Sequence, residues 1–421
     1  MIGPLDYIYL TCLIIIWSLL LYHVLLSYAG YRYSLRAERE KEELDKTPIG
    51  PLPTVTVLIP AHNEEAVIEQ TLLAVGSLDY PEDKLEVICL NDNSTDDTGM
   101  VARKTAAKIG NHVKVVDVPP ERGRRGKSAV LNYGLQLAKG EVIAVYDADN
   151  TPERSALLYL VRNLVREKEK LGAVIGKFRT RNRDKNLLTR FINLETIFYQ
   201  WTTQAGRWFL YKLATIPGTN FVIWKSLLLE LGGWDTKALT EDTELSIRVY
   251  LKGFLIKMIP YAITWEEEPE RLKVWFKQRT RWAKGNIYVL LKFLFPLLVS
   301  GNLRLLLDLL YLIVIYFLFL LSICASSFIF FLGITGLGNL ILKGPFDLLW
   351  LMAVVLFVIE LGITLTPEPG ENRRSNLLLA VLMYFTYTQL WVLVVINAIW
   401  QLLTSPFRRK KVIWYKTERA G

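Results

Sequence analysis

Val142-Ile143-Ala144-Val145-Tyr146-Asp147-Ala148-Asp149 is the stretch on which the reading of the fold turns. Five apolar or aromatic residues run into a carboxylate, an alanine and a second carboxylate. A short apolar run rich in β-branched residues and closed by polar ones reads as a buried strand. The pattern repeats upstream. Val55–Ile59, Leu85–Leu90 and Val113–Val116 read as further buried strands, and Glu65–Leu78, Asp97–Ile109 and Ser128–Ala138 as the helices between them. Strands alternating with helices from Thr54 to about Pro260 predict βαβ units and a mostly parallel sheet. Ligands bind beyond the carboxyl ends of such strands.

The acidic clusters fall at those ends. Pro60-Ala61-His62-Asn63-Glu64 follows the first strand, Asn91-Asp92-Asn93-Ser94-Thr95-Asp96-Asp97 the second, and Asp147-Ala148-Asp149 the fourth. One such cluster alone reads equally well as a polar loop with a helix cap. Three at strand ends point to a site. Asp147 and Asp149 can offer oxygens to a hard divalent cation, Mg²⁺ or Mn²⁺, carrying a diphosphate. Gly126-Lys127-Ser128 ends like a phosphate-binding Walker loop, but that motif needs glycine where Glu121 stands. Lys127 is therefore read as a diphosphate contact or helix-start residue, and ATPase activity is not expected.

Farther on, Thr240-Glu241-Asp242 opens a helical stretch, and Gln278-Arg279-Thr280-Arg281-Trp282 follows Trp265-Glu266-Glu267-Glu268-Pro269. Acidic residues at a helix start are often only dipole partners; the alternative is a general base. Gln278 and Trp282 stand at i and i+4 and share a helix face. Arg281 suits a phosphate, and Trp282 suits stacking on a sugar. The competing reading of a Trp-Arg pair is interfacial membrane anchoring.

The chain has 421 residues, with 50 Lys+Arg, 41 Asp+Glu and a net charge of +9; 52% are hydrophobic and 22% charged. Mean hydropathy is +0.25. These values exclude a disordered chain, and three Cys exclude a disulfide-stapled scaffold. Cys12, Cys89 and Cys324 read as buried thiols without chemistry, and the three His are too scattered for a metal site. The excess hydrophobicity lies at the two ends. Tyr7 to Tyr28 is long enough to span a bilayer, which takes about 20 apolar residues. A cleaved signal peptide has a shorter apolar region. Arg32, Arg36, Arg39, Lys41 and Lys46 follow, which places this flank in the cytoplasm and the N-terminus outside. Leu305–Gly333 (with Asp308), Phe346–Thr366 (with Glu360 inside) and Leu377–Thr404 are three further candidate spans, joined by loops over Ile334–Pro345 and Pro367–Asn376. Glu360 reads as pore-lining or as part of helix packing. Ala283–Ser300, with Lys284 and Lys292, reads as an interfacial amphipathic helix. Three spans put the basic tail from Phe407 outside, against the positive-inside tendency. The net charge is explained by acidic lipid headgroups near the membrane flanks, and nothing points to nucleic acid.

Taken in order, Asp92, Asp147-x-Asp149, Thr240-Glu241-Asp242 and Gln278-x-x-Arg281-Trp282 resemble the processive, membrane-embedded members of glycosyltransferase family 2: cellulose, chitin, hyaluronan and poly-N-acetylglucosamine synthases. The resemblance covers about residues 50–300. It implies an α/β GT-A-type (Rossmann-like) catalytic domain inserted between transmembrane α-helices. The expected organisation is an N-terminal span over 1–30, a cytosolic catalytic domain over 47–270, amphipathic interfacial helices over 271–302, about three spans over 303–405 and a basic tail over 406–421. The expected location is the plasma or inner membrane.

The resemblance also implies roles. Asp92 would contact the uracil and ribose end of the donor, and Asp147 and Asp149 would bind UDP and its metal. Asn63, Glu64 and Lys127 are grouped with the donor contacts. Asp242 would be the base, with Glu241 beside it. Gln278 and Arg281 would hold the diphosphate, and Trp282 would place the acceptor sugar, with Gly218 and Thr219 of Pro217-Gly218-Thr219-Asn220 lining the acceptor site. The expected reaction is inverting β-transfer from a UDP-sugar to a growing polysaccharide, with no covalent intermediate. UDP-N-acetylglucosamine is favoured over UDP-glucose from layout and size, and an accessory export subunit is a candidate partner. Two other readings are transfer of one sugar to a lipid carrier, against which Gln278–Trp282 argues, and an inactive scaffold, against which the complete acidic motifs argue.

Overall fold

The structure, a computed structural model, describes residues 3–123, 125–335 and 346–404. The expected basic tail over 406–421 and most of the Ile334–Pro345 loop lie outside the described residues.

The chain begins with one 43-residue helix, α1 (Pro4–Lys46). Proline at the first turn suits a helix start. A Leu-rich half then passes into a Glu-, Arg- and Lys-rich half, and both compositions are good helix formers. The Thr47-Pro48 step ends it. The helix thus continues well beyond the expected 1–30 segment, because the basic flank extends it instead of ending it.

The catalytic region follows as β1 (Val55–Ala61), α2 (Ile68–Gly76), β2 (Leu85–Asn91), α3 (Thr98–Ile109), β3 (Val113–Asp117), α4 (Lys127–Leu137), β4 (Val142–Val145), β5 (Thr151–Pro152), α5 (Ala156–Arg166), β6 (Leu171–Thr180) and α6 (Leu187–Phe198). A π-helix (Tyr199–Gly206), α7 (Arg207–Tyr211), β7 (Phe221–Trp224), α8 (Lys225–Glu230), α9 (Glu241–Leu251) and β8 (Leu255–Glu266) complete it. The strands and helices expected upstream of Asp147 are all present, within a few residues at their ends.

The sheet order is β3-β2-β1-β4-β7-β6-β8-β5. The strands β1, β2, β3 and β4 are parallel, as expected, but β7 runs antiparallel to both β4 and β6, and β5 antiparallel to β8. The sheet is mixed but mostly parallel, as expected, with only β5 and β7 reversed. Pairing of Val145 with Phe221 brings the start of β7 to the same edge as the end of β4. β6 and β8 run parallel and end together, Thr180 beside Glu266. One edge therefore collects the carboxyl ends of β1, β2, β4, β6 and β8 and the amino end of β7. Val57, Leu58, Ile59, Val87, Val142, Ile143, Val174 and Val222 are fully or almost fully buried between the helical layers, as two-sided burial of a sheet core requires.

After β8 come α10 (Leu272–Ser300), α11 (Leu303–Ile313), a π-helical turn (Val314–Phe319), α12 (Leu320–Thr335), α13 (Phe346–Leu365), α14 (Arg374–Phe385) and α15 (Tyr387–Thr404). Pro4–Lys46, Leu272–Ser300 and Arg374–Thr404 are long and apolar enough to cross a membrane. Leu291, Phe295, Leu298 and Val299 of α10, and Ile396, Trp400 and Leu403 of α15, are exposed, a surface suited to an apolar solvent.

Within 271–302, Leu272–Ser300 form a single helix rather than several. Its two expected interfacial charges are engaged: Lys292 pairs with Asp235 (2.7 Å) and Glu244 (2.6 Å), and Lys284 donates to Gln401. Asp308, the lone charge of the next apolar run, is the ion-pair partner of buried Arg207. Glu360 is 1% exposed, on a helix that packs against α1 and α14. Cys12 and Cys89 are buried as expected, whereas Cys324 is exposed; its helix is apolar around most of its circumference, so a buried position was not required of it.

Candidate active site

The shared strand edge opens into a cavity of about 410 Å³. Glu64, Lys127, Asp147, Asp149, Gly218, Thr219, Glu241, Asp242, Gln278, Arg281 and Trp282 all line it. Residues spread over more than 200 positions converge because most stand at strand or helix ends on that edge, while Gln278, Arg281 and Trp282 reach it from within α10.

Lys127 opens α4 and reaches across the cavity. Its Nζ lies 2.5 Å from an Asp147 oxygen and 3.9 Å from Glu241, and donates to the Gly218 carbonyl at 2.8 Å. Burial opposes its charge, but Asp147, Glu241 and Asp242 hold its pKa above the ordinary lysine value. Gly218 is required here on two grounds. Its φ of +86° lies in the left-handed region, and a Cβ would stand 2.7 Å from Asp242 Oδ2.

Glu241 and Asp242 form the first turn of α9. Burial, then the adjacent Asp242 charge, push Glu241 up to about 7, against the pull of Lys127 and Arg281. Burial also raises Asp242, again opposed by Lys127; the Thr243 amide donates to Asp242 Oδ1 at 2.7 Å. Two like carboxyls in one desolvated turn favour a shared proton.

Asp149 is 4% exposed and Asp147 half-buried. Their loop is tied down by Thr219, whose hydroxyl accepts the Asp147 amide at 3.1 Å and donates to Asn150. Thr219, expected at the acceptor, thus also braces the carboxylate pair. As a cation site the pair fits: Mg²⁺ is usually held by one or two carboxylates, with substrate phosphates and water completing its shell.

Two expected donor contacts lie elsewhere. Asn63 adopts φ +56° and accepts the Thr95 amide at 2.7 Å, while its own amide donates to Ser94, so it links the first two acidic loops. Asp92 is 1% exposed. Gly123 packs so closely over it that a Cβ would stand 2.1 Å from its Oδ1. Neither lines the cavity in this conformation.

The cavity also has residues that motif reading passed over. Glu195, Thr196 and Tyr199 come from α6 and the π-helix, Phe178 from β6, Arg279 and Asn286 from α10, Trp391 from α15, and Glu266 and Glu268 from the end of β8. Burial, then the Glu268 and Asp147 charges, raise Glu266 well above the carboxylate range, and burial raises Glu268. The Glu266-Glu267-Glu268 run was visible in the sequence, but its position depends on the β6–β8 pairing.

Carboxylates paired at the ends of a mixed α/β sheet, with Lys127 and Arg281 on the same cavity, fit the GT-A glycosyltransferase class that the sequence resembles. Residues 53–285 match the family model described as "Glycosyltransferase like family 2", and the chain belongs to that family. The chain is 48% identical over 412 residues to "Probable glycosyltransferase YdaM" of Bacillus subtilis (strain 168), covering 98% of this chain and 97% of that protein. It is 33% identical over 280 residues to "Poly-beta-1,6-N-acetyl-D-glucosamine synthase" of Staphylococcus aureus (strain COL), covering 65% of this chain and 66% of that protein. Among solved structures, a mannosyltransferase from Pyrobaculum calidifontis in complex with GDP-Man and Mn²⁺ superposes with a TM-score of 0.56 at 22% identity. It covers 87% of this chain and 99% of that chain, a likeness of fold.

Proposed function

We propose that this membrane glycosyltransferase polymerises a sugar from a UDP-sugar, favoured as UDP-N-acetylglucosamine, with inversion to a β-linkage, and passes the product between its apolar helices. The observation that carries this reading is the convergence of the carboxylates, Lys127 and Gln278-x-x-Arg281-Trp282 on one cavity that also touches α15. The relative that makes a poly-N-acetylglucosamine supports the choice of donor.

Asp242 accepts the proton of the attacking acceptor hydroxyl, and burial keeps it basic enough to do so. Lys127 and Arg281 supply positive charge facing the leaving diphosphate. Trp282 offers an aromatic face to the acceptor sugar. Asp147 and Asp149 would hold Mg²⁺ or Mn²⁺, whose contribution is to neutralise charge developing on the diphosphate. A base and a leaving-group clamp suffice for direct displacement, without a covalent sugar–enzyme intermediate.

The test uses the full chain purified in detergent, supplied with Mg²⁺ or Mn²⁺ and each UDP-sugar in turn, reading UDP release and product length. A polymer from one UDP-sugar is expected. Asp242→Asn should cut turnover about 10²–10⁴-fold, the usual size for a general base. No turnover with any UDP-sugar, or turnover unchanged in Asp242→Asn, overturns the mechanism; a product longer by one sugar overturns processivity.

A further inference from the structure

Glu195 lines the cavity, and its two oxygens accept hydrogen bonds from three donors. Oε2 accepts Arg279 Nη2 at 2.7 Å and the Tyr387 hydroxyl at 2.7 Å, and Oε1 accepts the Trp391 indole N–H at 2.7 Å. Arg279 is 1% exposed, and a buried guanidinium needs a fixed counter-charge.

Arg279 lies inside the Gln-x-x-Arg-Trp segment and orders both of its ends. Nη1 donates to Gln278 Oε1 at 2.7 Å, and the guanidinium stacks 4.0 Å from the centre of the Trp282 ring. The conformations of Gln278 and Trp282 therefore follow that of Arg279, and Arg279 follows Glu195. The same carboxylate reaches α15. Tyr387 and Trp391 share one face at i and i+4, and the Trp275 N–H donates to the Tyr387 hydroxyl at 2.7 Å. A directed chain of hydrogen bonds thus runs Trp275 to Tyr387 to Glu195, on the side where α10 and α15 pack together.

We propose that Glu195 is a positioning residue for the acceptor: through Arg279 it sets Trp282, the acceptor platform, and through Tyr387 and Trp391 it links that platform to helix α15. This rests on the polymerising function proposed above. A shift of α15 as product moves past it is then felt at the acceptor platform, whose direct hydrogen bonds and stacking run through Glu195 and Arg279.

Glu195→Gln strips Arg279 of its counter-charge and could prevent folding. Glu195→Asp, Tyr387→Phe and Trp391→Phe each keep Arg279 opposite a carboxylate and alter one part of the network. Each is compared with wild type for the KM of acceptor oligosaccharide, the KM of the UDP-sugar and the product length. Expected is a rise in acceptor KM of about tenfold, the scale seen when a supporting contact is lost. The donor KM should change less than the acceptor KM, through Gln278 alone, with a shortened product and Glu195→Asp milder than Glu195→Gln where both fold. Wild-type acceptor KM and product length in all three variants overturn the proposal, as do equal shifts in donor and acceptor KM. Absence of polymer from the wild-type protein is a separate result, which overturns the functional reading itself.

Discussion

Asp242 and Glu241 stand where two effects oppose each other. The amino end of a helix favours negative charge, yet desolvation disfavours it, and here desolvation wins: both carboxyls are raised, Glu241 to about 7. As the proposed base, Asp242 must be ionised to accept a proton. The rate should therefore fall as pH drops through the raised range of the pair, above that of an ordinary carboxylate. Glu241→Gln removes the like charge beside Asp242, so the remaining carboxyl ionises more easily and the acid limb moves to lower pH. A kcat/KM profile from pH 5 to 9 for both proteins checks this; an unmoved limb shows that the two carboxyls do not titrate together.

The connection between α13 and α14 shows how an element is fixed. Glu368 of this loop pairs with buried Lys177 and with Arg179 of β6 (3.2 Å), and accepts the Trp201 indole at 2.7 Å. Glu371 pairs with Arg183 at 2.8 Å. Burial disfavours charge at Glu368, but Lys177 and Arg179 hold its carboxyl below the usual range. Phe178, between the two cations in sequence, lines the cavity, so this loop anchors the apolar helices one residue away from the site. Breaking a buried ion pair by removing one partner costs about 3–5 kcal/mol. Glu368→Gln should lower the unfolding temperature of the detergent-solubilised protein accordingly, whereas exposed Glu230→Gln, whose partner Lys252 is also exposed, should change it little.

At the scale of the molecule, the apolar helices and the catalytic region are joined by close backbone contact. α1 crosses the π-helix so tightly that a Cβ at Gly30 would lie 2.0 Å from the Trp201 carbonyl oxygen, and one at Gly206 would lie 2.3 Å from that of Leu26. Ser27 and Thr202 hydrogen-bond within the crossing, and farther along α1 Tyr33 donates to the Met258 carbonyl of β8 at 2.6 Å. A single helix thus runs from the apolar region onto the sheet. Gly30→Leu must push the two backbones apart, at a cost of about 1–3 kcal/mol for overpacking. Expected are a lower unfolding temperature and a weaker monodisperse peak on gel filtration in detergent; unchanged stability shows that the crossing yields freely.

Much of this was readable in the residues. The strands from Val55 to Tyr146, the acidic clusters at their ends and the apolar runs at both ends of the chain follow from local pattern, because hydrophobic period and turn chemistry are properties of short windows. Lys127, Asp147, Asp149, Glu241, Asp242, Gln278, Arg281 and Trp282 were all singled out, and they share one cavity. What the residues could not carry was direction and distance. The reversal of β7, the placing of Glu266 and Glu268 beside the site, the covering of Asp92 by Gly123 and the grip of Glu195 on Arg279 each join positions far apart in the chain. Such contacts are set by strand register and helix packing, where burial of the whole core outweighs the preference of any one segment.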